Sequence, residues 1–74
     1  MWTQGEIRYK GRNYKYCMKH FEEPSEFGYD EGRVSKLNII RDKIEVFNYD
    51  RGMDIEPADA DTEAVLKMIL DKYN

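Results

Sequence analysis

The stretch RVSKLNIIRDKIEVFNYDRG, Arg33 to Gly52, leaves this chain the fewest choices of fold. Val34, Leu37, Ile39, Ile40, Ile44, Val46 and Phe47 crowd it with branched and aromatic side chains, which suit a pleated, half-buried surface. It predicts two β-strands joined at Arg41-Asp42-Lys43, onto which everything else must pack. The chain has 74 residues, enough for one domain. A domain this short buries only about 60% of its unfolded surface, so it is marginal without a staple, a metal or a partner chain.

Trp2 stands where a large ring lids one end of a small core. Residues from about 5 to 9 read as a first strand, with Lys10-Gly11-Arg12-Asn13 as a hairpin turn. Residues from about 14 to 21 make a second strand, whose face Tyr14, Tyr16, Met18 and His20 is the richer in large apolar bodies and points inward. Glu22 to Gly32 is an acidic irregular stretch, long for a hairpin connection, with Phe27 and Tyr29 set among its carboxylates. The central strands run from about 33 to 40 and 43 to 49. Val65, Leu66, Ile69, Leu70 and Tyr73 form one stripe at helical period, predicting a helix over about 60–73 with Asp61, or Asp59 beside it, as N-cap. Met53 to Ile55 reads at most as a brief extended edge segment. The expected fold is α+β: a four-stranded antiparallel β-meander with one C-terminal α-helix packed on one face.

The charge pattern is segmented. The N-terminal hairpin carries Arg8, Lys10, Arg12, Lys15 and Lys19 against Glu6, whereas Glu22 to Glu31 and the C-terminal quarter are acidic, and the net charge is −3. One cysteine, Cys17, permits no intramolecular disulfide and favours a reducing compartment. No signal-peptide core and no membrane-length apolar run is present, so a soluble cytoplasmic domain is expected.

Catalytic chemistry finds little support. Cys17 and His20 lie three apart on one strand and face opposite ways, which removes a thiolate–imidazole pair. Structural zinc usually needs four nitrogen or sulfur ligands, and these are the two candidates. The acidic clusters at Asn48–Asp54 and Asp59–Glu63 lack the calcium-loop pattern, and no phosphate-cradling glycine motif occurs. No enzyme, cofactor or metal is expected. RYKGRNYKY interleaves bases and aromatics as a nucleic-acid surface does, yet the isoelectric point near 5.1 argues against one.

Two classes remain. A small-molecule binding module is suggested by Tyr29, Arg33, Lys36, Tyr49 and Arg51, because arginine forks and aromatic faces suit an anionic planar ligand such as a nucleotide. A pocket shared in a homo-oligomer compensates for the small protomer. The alternative is a protein-interaction module or inhibitor, acting on a host protein through the acidic loop and tail or through the open sheet face. That face is expected to carry some of Phe21, Ile40 and Phe47.

Trp2 with Gly5, SEFGYDEGRVSKL at 25–37 and NYDRGMD at 48–54 together resemble a family of small uncharacterised proteins from bacteria, mainly Gram-positive, and their phages. The departure is Met53, where that family more often carries Trp. The resemblance implies a phage or prophage setting, in which small acidic proteins act as counter-defence sponges of a nucleotide signal or as inhibitors of a host protein.

Overall fold

The computed structural model describes residues 2–26 and 28–74, with Glu31 described by its backbone alone. Five strands form one antiparallel sheet in the order β1 (Trp2–Tyr9), β2 (Arg12–His20), β3 (Val34–Arg41), β4 (Ile44–Asp50) and β5 (Met53–Ile55). Helix α1 (Ala60–Tyr73) closes one face. The class is α+β and the topology a meander, but with five strands where four were expected. Asn48 pairs with Ile55 and Tyr49 with Met53. Three exposed residues are too few for an alternation to register in the sequence, so only backbone pairing identifies β5.

Two-residue turns set the register. Lys10 and Gly11 take φ of 50° and 78°, and Asp42 and Lys43 take 53° and 65°. Positive φ at both central positions matches the twist of the flanking strands. The first turn is therefore tighter than the four-residue turn expected, and Arg12 and Asn13 belong to β2, paired with Tyr9 and Arg8. Strand β1 reaches back to Trp2, which pairs with Lys19 and is 59% exposed. Trp2 is not a core lid, because strand parity places it with the exposed Gln4, Glu6 and Arg8.

The core lies between sheet and helix. Tyr14, Met18, Ile39, Phe47 and Val65 are fully buried, with Tyr16 packed beside them, and His20 stacks at 5.4 Å on Tyr73. Phe47 thus faces the helix and not the open face. A bulge explains this: Ile39 pairs with Phe47 but Ile40 with Glu45, so Val46 is an extra residue and both Val46 and Phe47 are buried. A second bulge makes Ser35 the extra residue between Lys36, opposite Lys19, and Val34, opposite His20. Gly5 makes room for the hydroxyl end of the Tyr16 ring, which would have to shift if a Cβ stood there.

Polar clamps hold both helix ends. Asp59, not Asp61, is the N-cap, and its Oδ1 accepts the Thr62 amide at 2.8 Å. Asp61 instead lies in the first turn and pairs with Lys10 at 3.4 Å. Arg41 donates to Asp59 Oδ2 at 2.8 Å and to the Tyr14 hydroxyl at 3.1 Å. At the other end, Asn74 Oδ1 accepts the Val34 amide and its Nδ2 donates to the Tyr29 carbonyl, both at 2.9 Å. Phe27 lies outside the described residues. No helix among them is long and apolar enough to cross a membrane.

Two outcomes follow from these contacts. Lys43→Gly relieves a left-handed residue and is expected to raise Tm by about 4 °C in thermal unfolding, whereas Lys43→Ala brings no gain. The hydrogen bonds from Thr62, together with Arg41, hold the Asp59 carboxyl at about 2, below its ordinary 3.8. A depressed carboxylate contributes stability above its unfolded value and loses it as pH falls toward the folded one. Asp59→Asn is therefore less stable than wild type near neutrality, and thermal melts show the gap closing between about pH 4 and about pH 2. A gap that persists unchanged at pH 2 contradicts this assignment.

Candidate functional site

The sheet face opposite the helix is uncovered, and strand register arranges it in rows. Trp2, Lys19, Lys36 and Asp50 form one row across β1 to β4. Gln4, Cys17, Asn38 and Asn48 form the next, and Glu6, Lys15, Ile40 and Glu45 the third. An aromatic and cationic row thus borders a row of amides. The Lys19 ammonium lies 5.9 Å from the Trp2 ring centroid and 5.5 Å from that of Phe21, so two exposed aromatics flank one charge. Lys36 pairs with Asp50 at 3.5 Å, both half-exposed. Glu45 accepts from the Asn38 and Asn48 amides, each at 3.3 Å, and so orients that row.

Two of the shallow hollows on this face share Lys36. One, of about 250 Å³, is lined by Trp2, Cys17, Lys36, Asn38, Asn48 and Asp50 among others. The other, of about 260 Å³, is lined by Lys19, Phe21, Ser25, Ser35, Lys36 and Arg51. The Ser35 bulge builds the second hollow. Its carbonyl accepts the Arg51 amide at 3.0 Å and its hydroxyl donates to the Lys19 carbonyl at 3.3 Å. Arg51 itself sits in the left-handed region at φ 59°, which turns the chain sharply between β4 and β5.

Of the five residues expected to form a site, Lys36 and Arg51 line one hollow, and Tyr49 also borders the other, beside Lys36. Arg33 lines a neighbouring hollow with His20, Phe21 and Glu22. Tyr29 and Tyr49 pack on the helix side of the sheet, 5.0 Å apart edge to face, with Tyr29 also 6.2 Å from Phe47. Burial, and then the nearby carboxylates of Asp30 and Glu63, push the Tyr29 hydroxyl up, so its surroundings disfavour an anion. The five do not form one constellation, because sheet and bulges separate residues that neighbour one another in sequence.

Trp2, Lys19, Phe21 and Ser25 are the members of the site that sequence reasoning missed. Placing the first turn at Lys10-Gly11 would have set Trp2 opposite Lys19 on one face. Cys17 opens to this face, while His20 lies on the other, sharing a hydrogen bond of 3.0 Å with Thr3 Oγ1. Among the described residues no cluster of three His, Cys, Asp or Glu side chains is placed to hold a metal ion.

The protein belongs to the family described as "Domain of unknown function (DUF7678)", whose model matches residues 1–74. Comparison with curated proteins and with solved structures returns no significant match.

Trp2 is the chain's one tryptophan and reports on this face directly. Its fluorescence is expected to be that of a solvated indole, with iodide access favoured by the Lys19 ammonium 5.9 Å from its ring. Lys19→Gln lowers that iodide quenching in Stern–Volmer plots. Equal iodide quenching of wild type and variant contradicts the influence of Lys19 on this ring.

Proposed function

We propose that this protein is a non-catalytic binding protein that sequesters an anionic, planar small molecule, such as a nucleotide signal, on the open face of its sheet. The observation that carries this reading is the gathering of Lys19, Lys36 and Arg51 around one hollow, beside the exposed rings of Trp2 and Phe21. Ammonium groups and an arginine fork bind phosphoryl oxygens through charge-assisted hydrogen bonds. An exposed indole offers a stacking surface to a flat ring, and the adjoining amides of Asn38 and Asn48 offer donors and acceptors to its edge.

Size supports a small ligand. Ligand pockets usually span roughly 300–1,000 Å³. Each hollow falls just short of that, and the two share Lys36 as a common wall. Binding on so open a face is screened by salt, since the Debye length at physiological ionic strength is about 8 Å. In the phage setting that the sequence resemblance implies, such a protein works as a sponge that lowers the free concentration of a defence signal. A reducing cytoplasm suits the single thiol of Cys17, which lines the site. The rival reading, capture of a host protein by the acidic loop and tail, loses part of its surface because Asp59 and Asp61 pair with Arg41 and Lys10 of the same chain.

Trp2 quenching and isothermal titration with a panel of nucleoside monophosphates, cyclic dinucleotides and inorganic pyrophosphate test the proposal. Lys19→Gln and Arg51→Gln are each expected to weaken the best probe by about tenfold or more, with Tm nearly unchanged. Arg33→Gln, in its separate hollow, has little effect. Absence of binding by every probe, or equal binding by wild type and both variants, overturns the reading.

A further inference from the structure

We infer that β1 is a docking edge for a second copy of this chain, which adds its own β1 antiparallel to form one continuous sheet. Strand β1 is at the edge of the sheet, pairs on one side with β2, and runs eight residues without proline. The two-residue turn makes Tyr9 and Arg12 the closing hydrogen-bonded pair. By the alternation of an antiparallel ladder, Thr3, Gly5, Ile7 and Tyr9 then direct their amides and carbonyls to β2, and Trp2, Gln4, Glu6 and Arg8 direct theirs outward. Long edges with free backbone groups are templates for another strand, and natural sheets block them with proline, bulges or inward charges. The described pairing of β1 is regular from Trp2 to Tyr9, with neither proline nor bulge, and its exposed charges Glu6 and Arg8 leave the edge open to a strand of complementary charge.

Charge selects the partner and the register. Glu6 and Arg8 are exposed, two apart on the same side of the strand. A two-fold axis through Ile7 sets Glu6 of each copy opposite Arg8 of the other, so two opposite-charge pairs form at once. An axis through Glu6 or through Arg8 opposes like charges. Within one chain these side chains make exposed contacts, Glu6 with Asn13 at 3.1 Å and Arg8 with the Gly11 carbonyl at 3.4 Å. Neither contact occupies the outward backbone.

The helix adds an apolar contribution on the same side. Asp61 reaches Lys10 of the β1–β2 turn, which marks the flank of α1 that looks toward this edge. Met68, seven residues further on, lies on that flank and is 43% exposed. Ile7, at the proposed axis, is half-buried and packs against the core. Pairing about Ile7 therefore draws Met68 of each copy toward the seam.

Sedimentation velocity over micromolar to millimolar concentrations, with circular dichroism to confirm folding, tests the inference. Wild type is expected to dimerise. Glu6→Arg and Arg8→Glu, each creating like-charge pairs, weaken the dimer by about tenfold or more. The double variant Glu6→Arg/Arg8→Glu restores the pairs in reverse and returns the dissociation constant close to that of wild type. A wild type that stays monomeric throughout, a dimer indifferent to either single variant, or a double variant no better than the singles overturns it.

Discussion

The structure depends on one guanidinium. Arg41, at the end of β3, is 13% exposed and donates to Tyr14, Thr62 and Asp59. Tyr14 and Thr62 are fully buried, so their hydroxyls must be satisfied inside the protein or cost a desolvation penalty. Asp59 supplies the compensating charge and caps α1 with the same carboxylate. A 14-residue helix is marginal in water and persists because its apolar stripe packs on a sheet. Arg41 decides where on the sheet that stripe begins, and Asn74 ties the other end to Val34 and Tyr29. Among the described residues no buried side-chain polar atom lacks a partner.

The two β-bulges link this core to the opposite face. An extra residue in a strand leaves its carbonyl outside the regular ladder. The Val46 carbonyl accepts the Ala58 amide and so anchors the segment leading into α1, while the Ser35 carbonyl accepts the Arg51 amide and so fixes the β4–β5 turn beside Lys36. The bulge at Val46 thus serves the core, letting Val46 and Phe47 both enter it, and the separate bulge at Ser35 serves the hollow by placing Arg51.

On the proposed reading, the overall acidity and the local basic hollow act at different ranges. A net charge of −3 repels a polyanion such as nucleic acid at a distance, whereas a small anion that reaches the face meets Lys19, Lys36 and Arg51 within screening distance. Of the acidic residues, Asp59 and Asp61 are engaged at the helix start, whereas Asp50 pairs with Lys36 at the site and offsets part of its charge. The basic residues of the first hairpin divide in the same way. Lys10 holds the helix, and Lys19 faces the site.

By itself the sequence determined the α+β class, the central hairpin and the helix stripe, since these rest on local periodicity and β-branched density, which survive without knowledge of neighbours. It also determined that Cys17 and His20 look in opposite directions, because strand parity is a local property. The tertiary structure decided the rest. Strand β5 is too short to show a period. The Asp59 cap won over Asp61 because Arg41 approaches from another strand, Phe47 turned inward through a bulge, and the tighter first turn slid Trp2 by two residues to sit opposite Lys19, on the outward face that strand parity gives it. The grouping of Trp2, Lys19, Lys36 and Arg51 is a product of register between four strands and a bulge carbonyl, and no single segment encodes it.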